Sequence, residues 1–152
     1  MMKSIKDVRR HGQFIPKNPT KYVGRYPIVV RSSWERSMCQ WLDKNLNVVE
    51  WSSESIFINY FDPVKNKPRR YFPDFYVLMQ GKDKKLKKFV VEVKPHKETK
   101  PPNNRGNKSA KTKMYESRTY STNQAKWNAA RMWCDKMGMI FLILTEKEMF
   151  GK

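Results

Sequence analysis

The chain has 152 residues with 32 Lys plus Arg against 14 Asp plus Glu, a formal net charge of +18 and a pI near 10.0. That length suits one domain with a core of its own; no apolar run reaches the roughly 18 residues that span a bilayer, and the opening MMKSIKDVRRHGQF lacks the apolar stretch of a secretory signal. The expectation is a soluble intracellular protein whose excess charge serves a polyanion: nucleic acid first, with a ribosome-like structural role, an anionic membrane surface or an acidic protein partner as the other readings.

Residues 1–27 are basic, contain Pro16, Pro19 and Pro27 and show no period, so they read as an extended arm ordered against a partner. Residues 28–152 read as a single domain that opens on a short strand, IVV at 28–30. In RSSWERSMCQWLDKN, Ser32 or Ser33 caps an amphipathic helix with Trp34, Met38, Trp41 and Leu42 on its apolar stripe and Glu35 in its first turn. ESIFINYF alternates as a strand buried on both faces, DPVKNKPRR supplies a turn, and YFPDFYVLM returns as a second strand. After the QGKDKK turn, KKFVVEVK is the third.

From about 95 to 118 no apolar period survives, and the segment reads as a basic loop. Lys97, Lys100, Arg105, Lys108, Lys111 and Lys113 there are candidate DNA-phosphate contacts, a solvated linker being the bland alternative. STNQAKWNAARMWCDKMG is then a helix, capped by Ser121 or Thr122 and stopped at Gly138, with Trp127, Ala130, Cys134 and Met137 along one stripe. Gln124 and Lys126 in its first turns are further candidate phosphate contacts, or simply a solvated helix turn. MIFLILT reads as a buried strand parallel to a neighbour, and EKEMFGK as a short helix at most. Cys39 and Cys134 read as small core residues and the Trp residues as core; Glu54 reads as a surface acid, with a further metal-site acid as the alternative, and His96 as a plain loop histidine, with a phosphate contact as the alternative. The order helix, three strands, helix, strand defines an α/β (α+β) fold: an antiparallel meander and one crossover in a mixed central sheet flanked by helices.

Asp74 and Glu92 fall on neighbouring strands, where two acids sharing a face repel unless something neutralises them. A hard divalent cation does this, and Mg²⁺ accepts one or two protein carboxylates with water and phosphate oxygens completing its shell. Lys94, two residues past Glu92 on the same face, is placed to orient or deprotonate an attacking water. A plain solvated ion pair of Glu92 with Lys94 is the alternative.

FPDFY followed by VVEVKP resembles the bipartite PD-(D/E)xK signature of the restriction-endonuclease-like nucleases, whose core order is αβββαβ. The resemblance implies Glu35, Asp74 and Glu92 as metal or metal-water ligands, Lys94 as the catalytic lysine, and Mg²⁺ as cofactor with Mn²⁺ able to substitute. KNPTKYVGRYPIVVRSSWE, EVKPHKETKPP and NQAKWNAARMWC with FLILTEK resemble the head completion nucleases of T-even-like tailed phages. More distantly they are similar to the endonuclease subunit of heteromeric cut-and-paste transposases. This implies a DNA nuclease acting before head–tail joining, with DNA and portal or head–tail connector proteins as partners and no small-molecule cofactor. Its place would be the host cytoplasm during assembly, then the virion head or neck. A structural DNA-binding head protein without catalysis, or a transposase-type subunit, are the other readings.

With phosphate-directed cations and no groove-reading motif, DNA affinity is expected to fall steeply as salt rises and to vary little with base sequence. A log–log slope of affinity on NaCl steeper than about −3, equal for two unrelated duplexes, is the expected result of a binding titration.

Overall fold

A computed structural model of the chain describes residues 12–150; His11 and most of the basic arm's N-terminal half lie outside the described residues. In chain order the elements are β1 (Gln13–Phe14), a single 3-10 turn (Pro19–Lys21), β2 (Ile28–Val29), α1 (Ser33–Lys44), β3 (Val48–Ser53), β4 (Ile58–Asp62) and β5 (Lys67–Tyr71). There follow β6 (Phe75–Gln80), β7 (Leu86–Val93), a second 3-10 turn (His96–Thr99), α2 (Ala110–Met137), β8 (Ile140–Leu144) and α3 (Glu146–Met149). The central sheet has the order β3-β6-β7-β8, antiparallel except for the parallel β7–β8 pair that α2 connects. The fold is thus α+β with a mixed sheet between helical layers.

One face carries the larger core. Met38, Cys39 and Leu42 of α1 pack with Phe14, Tyr22, Ile28, Trp51, Phe75, Val77 and Val91. On the other face Trp127 and Ala130 of α2 meet Ile58, Tyr60 and Tyr71 of the β4–β5 hairpin, with Phe141 and Ile143 of β8. Val91 therefore points to α1 and its neighbour Glu92 to α2, as strand alternation requires. Burial raises the Cys39 thiol to about 12 and that of Cys134 to about 11, so both are inert core groups.

Several elements differ from the sequence reading. The first core strand is β3, VVEWSS, which a register shift between Val48 and Glu50 hides from any period-two search. ESIFINYF instead belongs to a hairpin outside the central sheet: Ile58, Tyr60 and Asp62 are buried, while Asn59 and Phe61 face out. DPVKNKPRR is a turn only in its first half, because Lys67–Tyr71 forms β5. The buried stripe of α1 is Met38, Cys39, Leu42 and Asp43, leaving Trp41 47% exposed. α2 starts at the Ser109 cap, twelve residues or more before the expected caps, so the expected basic loop is part turn, part short loop and part helix. β8 is an edge strand with Ile140 and Leu142 partly exposed rather than fully buried. The Ser32 cap, the left-handed Gly138 stop and the parallel pairing of β8 agree with expectation.

Residues 12–27 are not a free arm. Asp43, buried in α1, accepts the backbone N–H groups of Lys17 and Asn18, each at 2.9 Å, and Lys21 Nζ donates to its carbonyl at 3.0 Å. Phe14 and Tyr22 then fold against Trp51 in edge-to-face contacts. Gly24 passes so close that a Cβ there would lie 2.5 Å from the Tyr22 hydroxyl oxygen. Asp43→Ala orphans two N–H groups and frees this segment; a loss of about 2–4 kcal/mol in unfolding free energy by urea titration is expected.

Candidate active site

The register that pairs Phe75 with Val91 brings Asp74 opposite Glu92 at the next step, where β6 begins and β7 ends. Asp74 itself sits in the bend after Pro73, one residue before β6, and Lys94 one residue after β7, so neither is inside a strand as the sequence suggested. The bend is held at both ends. Val93 N–H donates to Asp74 Oδ2 at 2.7 Å, and Glu54 N–H donates to the Asp74 carbonyl at 2.9 Å. Glu54 reaches that position with a left-handed φ of 51° and pairs with Arg31, so it is a half-buried neighbour of the site rather than a plain surface acid.

Glu92, 7% exposed, faces the α2 side. The Tyr71 hydroxyl donates to its Oε1 at 2.6 Å, and Lys94 Nζ lies 3.5 Å from its Oε2. Lys94 is steadied by its own N–H, which donates to the Leu144 carbonyl at 2.9 Å. From α2, Lys126 Nζ stands 5.6 Å from the centre of the Tyr71 ring and interacts electrostatically with both Glu92 and Lys94. Glu35, in the first turn of α1, accepts from the Ser32 hydroxyl at 3.3 Å and approaches from the opposite face.

Burial dominates the electrostatics. Asp74 is pushed up to about 8, first by desolvation and then by the Glu92 charge, against the Val93 N–H. Glu92 is raised by burial, opposed by Tyr71, Lys94 and Lys126. Glu35 is raised by burial and by Glu54, opposed by Ser32 and Arg31, and its charge is felt at Asp74. Lys126 is lowered by burial despite Glu92. Carboxylates that resist ionising together are those a cation would stabilise.

The donor set suits a hard cation. Asp74 spends Oδ2 on Val93 and keeps Oδ1; Glu92 spends Oε1 on Tyr71 and keeps Oε2 beside an ammonium at 3.5 Å. Among the described residues no three Asp, Glu, His or Cys side chains converge into a cage. Two carboxylates without a protein cage suit Mg²⁺, whose shell water and phosphate oxygens commonly complete, better than a metal that demands a full protein shell. Glu35 stands alongside this pair without closing a third corner.

The structure brings Glu35, Asp74, Glu92, Lys94 and Lys126 to one end of the sheet. Lys97, Lys100, Arg105 and Lys111 are exposed on the neighbouring turn, loop and helix start; Lys108 pairs with Glu116 at 2.8 Å, and Lys113 and Gln124 are half-buried on α2. Tyr71 is the residue the sequence reading missed. Its place directly before the FPD run was visible, but only the hairpin explains why its hydroxyl turns inward. His96 is held by Glu146, which accepts its N–H at 2.7 Å, and serves the chain path.

Two comparisons bear on this site. The family described as TnsA-like endonuclease N terminal matches residues 45–146, spanning β3 to the start of α3. A head completion nuclease of Enterobacteria phage T4 is 41% identical over 139 residues, covering 89% of this chain and 90% of that protein. No solved structure gives a significant match.

With Asp74 at about 8 in the folded state against an unfolded value near 3.9, the folded chain holds the extra proton, so stability present below pH 4 is lost as pH rises towards 8. Asp74→Asn, which keeps an acceptor for Val93, is expected to remove most of this loss. In metal-free thermal melts it should exceed wild type by on the order of 1–3 kcal/mol at pH 8 and much less at pH 4.

Proposed function

Because the chain belongs to the TnsA-like endonuclease N-terminal family and to the head completion nucleases within reach of that family, we propose that it is a Mg²⁺-dependent nuclease that hydrolyses DNA phosphodiesters during phage head completion, before heads join tails. The single observation that carries this reading is the half-buried Asp74 beside the buried Glu92, with Lys94 Nζ 3.5 Å from Glu92 Oε2, on a chain of net charge +18.

Asp74 and Glu92 would hold the cation, and Glu35, whose charge reaches Asp74, would support it. When bound there, Mg²⁺ or Mn²⁺ would supply Lewis acidity to the phosphate and a water of lowered pKa. Lys94 orients the attacking water and offsets charge developing on the phosphoryl oxygens. Tyr71 fixes the rotamer of Glu92 through its 2.6 Å hydrogen bond, which leaves Oε2 beside the Lys94 ammonium. Lys126 receives a non-bridging phosphate oxygen, and the exposed Lys97, Lys100, Arg105 and Lys111 carry the flanking strand. Portal or head–tail connector proteins are the partners that would bring such an enzyme to packaged DNA.

Supercoiled plasmid incubated with Mg²⁺, Mn²⁺, Ca²⁺ or EDTA tests the reading on a gel. Wild type should cut with Mg²⁺ or Mn²⁺ only. Asp74→Asn and Lys94→Ala should each lose about 10²–10⁴ in rate while retaining DNA binding. Binding without cutting by wild type in any metal would instead support a structural head protein.

A further inference from the structure

Beyond Lys94 the chain turns along the first half of α2, and between them lies a groove of about 710 Å³ that the cleavage chemistry does not use. We propose that this groove binds an unpaired stretch of a DNA strand continuing from the cleavage site, so that the substrate is DNA with a single-stranded tail or flap. The proposal rests on the nuclease reading above.

Position is the first support. Asn123, on the groove wall, lies one helical turn before Lys126, which faces Glu92 and Lys94. From Lys126 to Tyr115, at the far end of the groove, α2 rises about 16 Å, several steps of a nucleic-acid strand at roughly 3.4 Å each. A strand leaving the carboxylate pair is thus led along one helix face.

The chemistry of the wall is the second. Asn123, 7% exposed, lines the groove, and an amide side chain carries both donors and an acceptor for a base edge. Tyr115 is 70% exposed, and Tyr120 lines the same wall. Aromatic faces of this kind stack unpaired bases whatever their sequence. Lys97 and Lys100 sit at the rim where phosphates would pass, and Glu98 can accept from an exocyclic amine. In a duplex the base edges that Asn123 and Glu98 could reach are largely engaged, so this lining favours an unpaired strand.

The groove is also preformed. Lys108 Nζ donates to the Asn103 carbonyl at 2.7 Å and to Glu116 Oε1 at 2.8 Å, which clasps the loop to α2 and neutralises one acid of the wall. His96 N–H donates to Glu146 at 2.7 Å and fixes the start of the turn.

Fluorescence anisotropy of the full chain in EDTA, with a blunt duplex and the same duplex carrying a short single-stranded tail, tests this. The tail should tighten binding about tenfold; Tyr115→Ala should abolish the gain, Tyr115→Phe should keep it, and affinity for the blunt duplex should change less than about twofold in either. Equal affinity of wild type for the two probes, or equal weakening of both by Tyr115→Ala, would overturn the proposal. Tail preference in a chain that cuts neither plasmid nor the tailed duplex with Mg²⁺ or Mn²⁺ overturns the nuclease reading alone; cutting without tail preference removes the groove alone.

Discussion

Two carboxylates meet at one end of the sheet, one of them buried and the other half-buried, and much of the surrounding structure answers that confrontation. Asp74 cannot move away, because its backbone is pinned by Glu54 and its carboxylate by the Val93 N–H. Glu92 cannot turn out, because Tyr71 holds one of its oxygens. Left alone, such a pair favours protonation over charge, which is the direction seen at both acids. Lys94 and Lys126 supply partial relief from one side. The relief is incomplete, because both acids stay raised despite it, and a cation between them would supply the rest.

Each flank of the sheet contributes to this end for its own reason. The β4–β5 hairpin interrupts the path from β3 to β6, and its return strand delivers Tyr71 inward and then Asp74 in the bend that follows. α2 buries Trp127 and Ala130 against the hairpin and β8, which fixes the rotation that turns Lys126 towards Glu92. α1, on the opposite face, is capped by Ser32, so that Glu35 sits near its start, where it feels Glu54 and is felt at Asp74. The N-terminal segment is tied to α1 through Asp43, and that tie also covers the core beneath Trp51. The site is therefore an outcome of both layers rather than a property of one strand pair.

Extending α2 back to Ser109 changes the meaning of the basic segment. Lysines that a loop would leave to sample solvent are instead spaced along a helix and a clasped turn, so their charges have defined positions relative to the carboxylates. Fixed cations along one path direct a strand, whereas a mobile basic loop would only raise its local concentration.

The amino-acid sequence by itself determined the elements whose pattern is local. The Ser32 cap, the Gly138 stop, the QGKDKK turn and the alternation that separates Val91 from Glu92 all follow from neighbours within a few residues. It also singled out Asp74, Glu92 and Lys94 as candidates, because FPD and EVK are short and chemically distinctive. What it could not determine was set by contacts between distant segments. β3 was hidden by a register shift that only its pairing with β6 reveals, and the early start of α2 by a polar first half with no apolar stripe. Residues 12–27 looked unstructured because their anchor, Asp43, lies about 25 residues away. Tyr71 and Lys126 gained their places at Glu92 only when the hairpin and α2 closed on the sheet. Local rules act within a turn or a strand; the proximity of a phenol, an ammonium and two carboxylates is decided by packing.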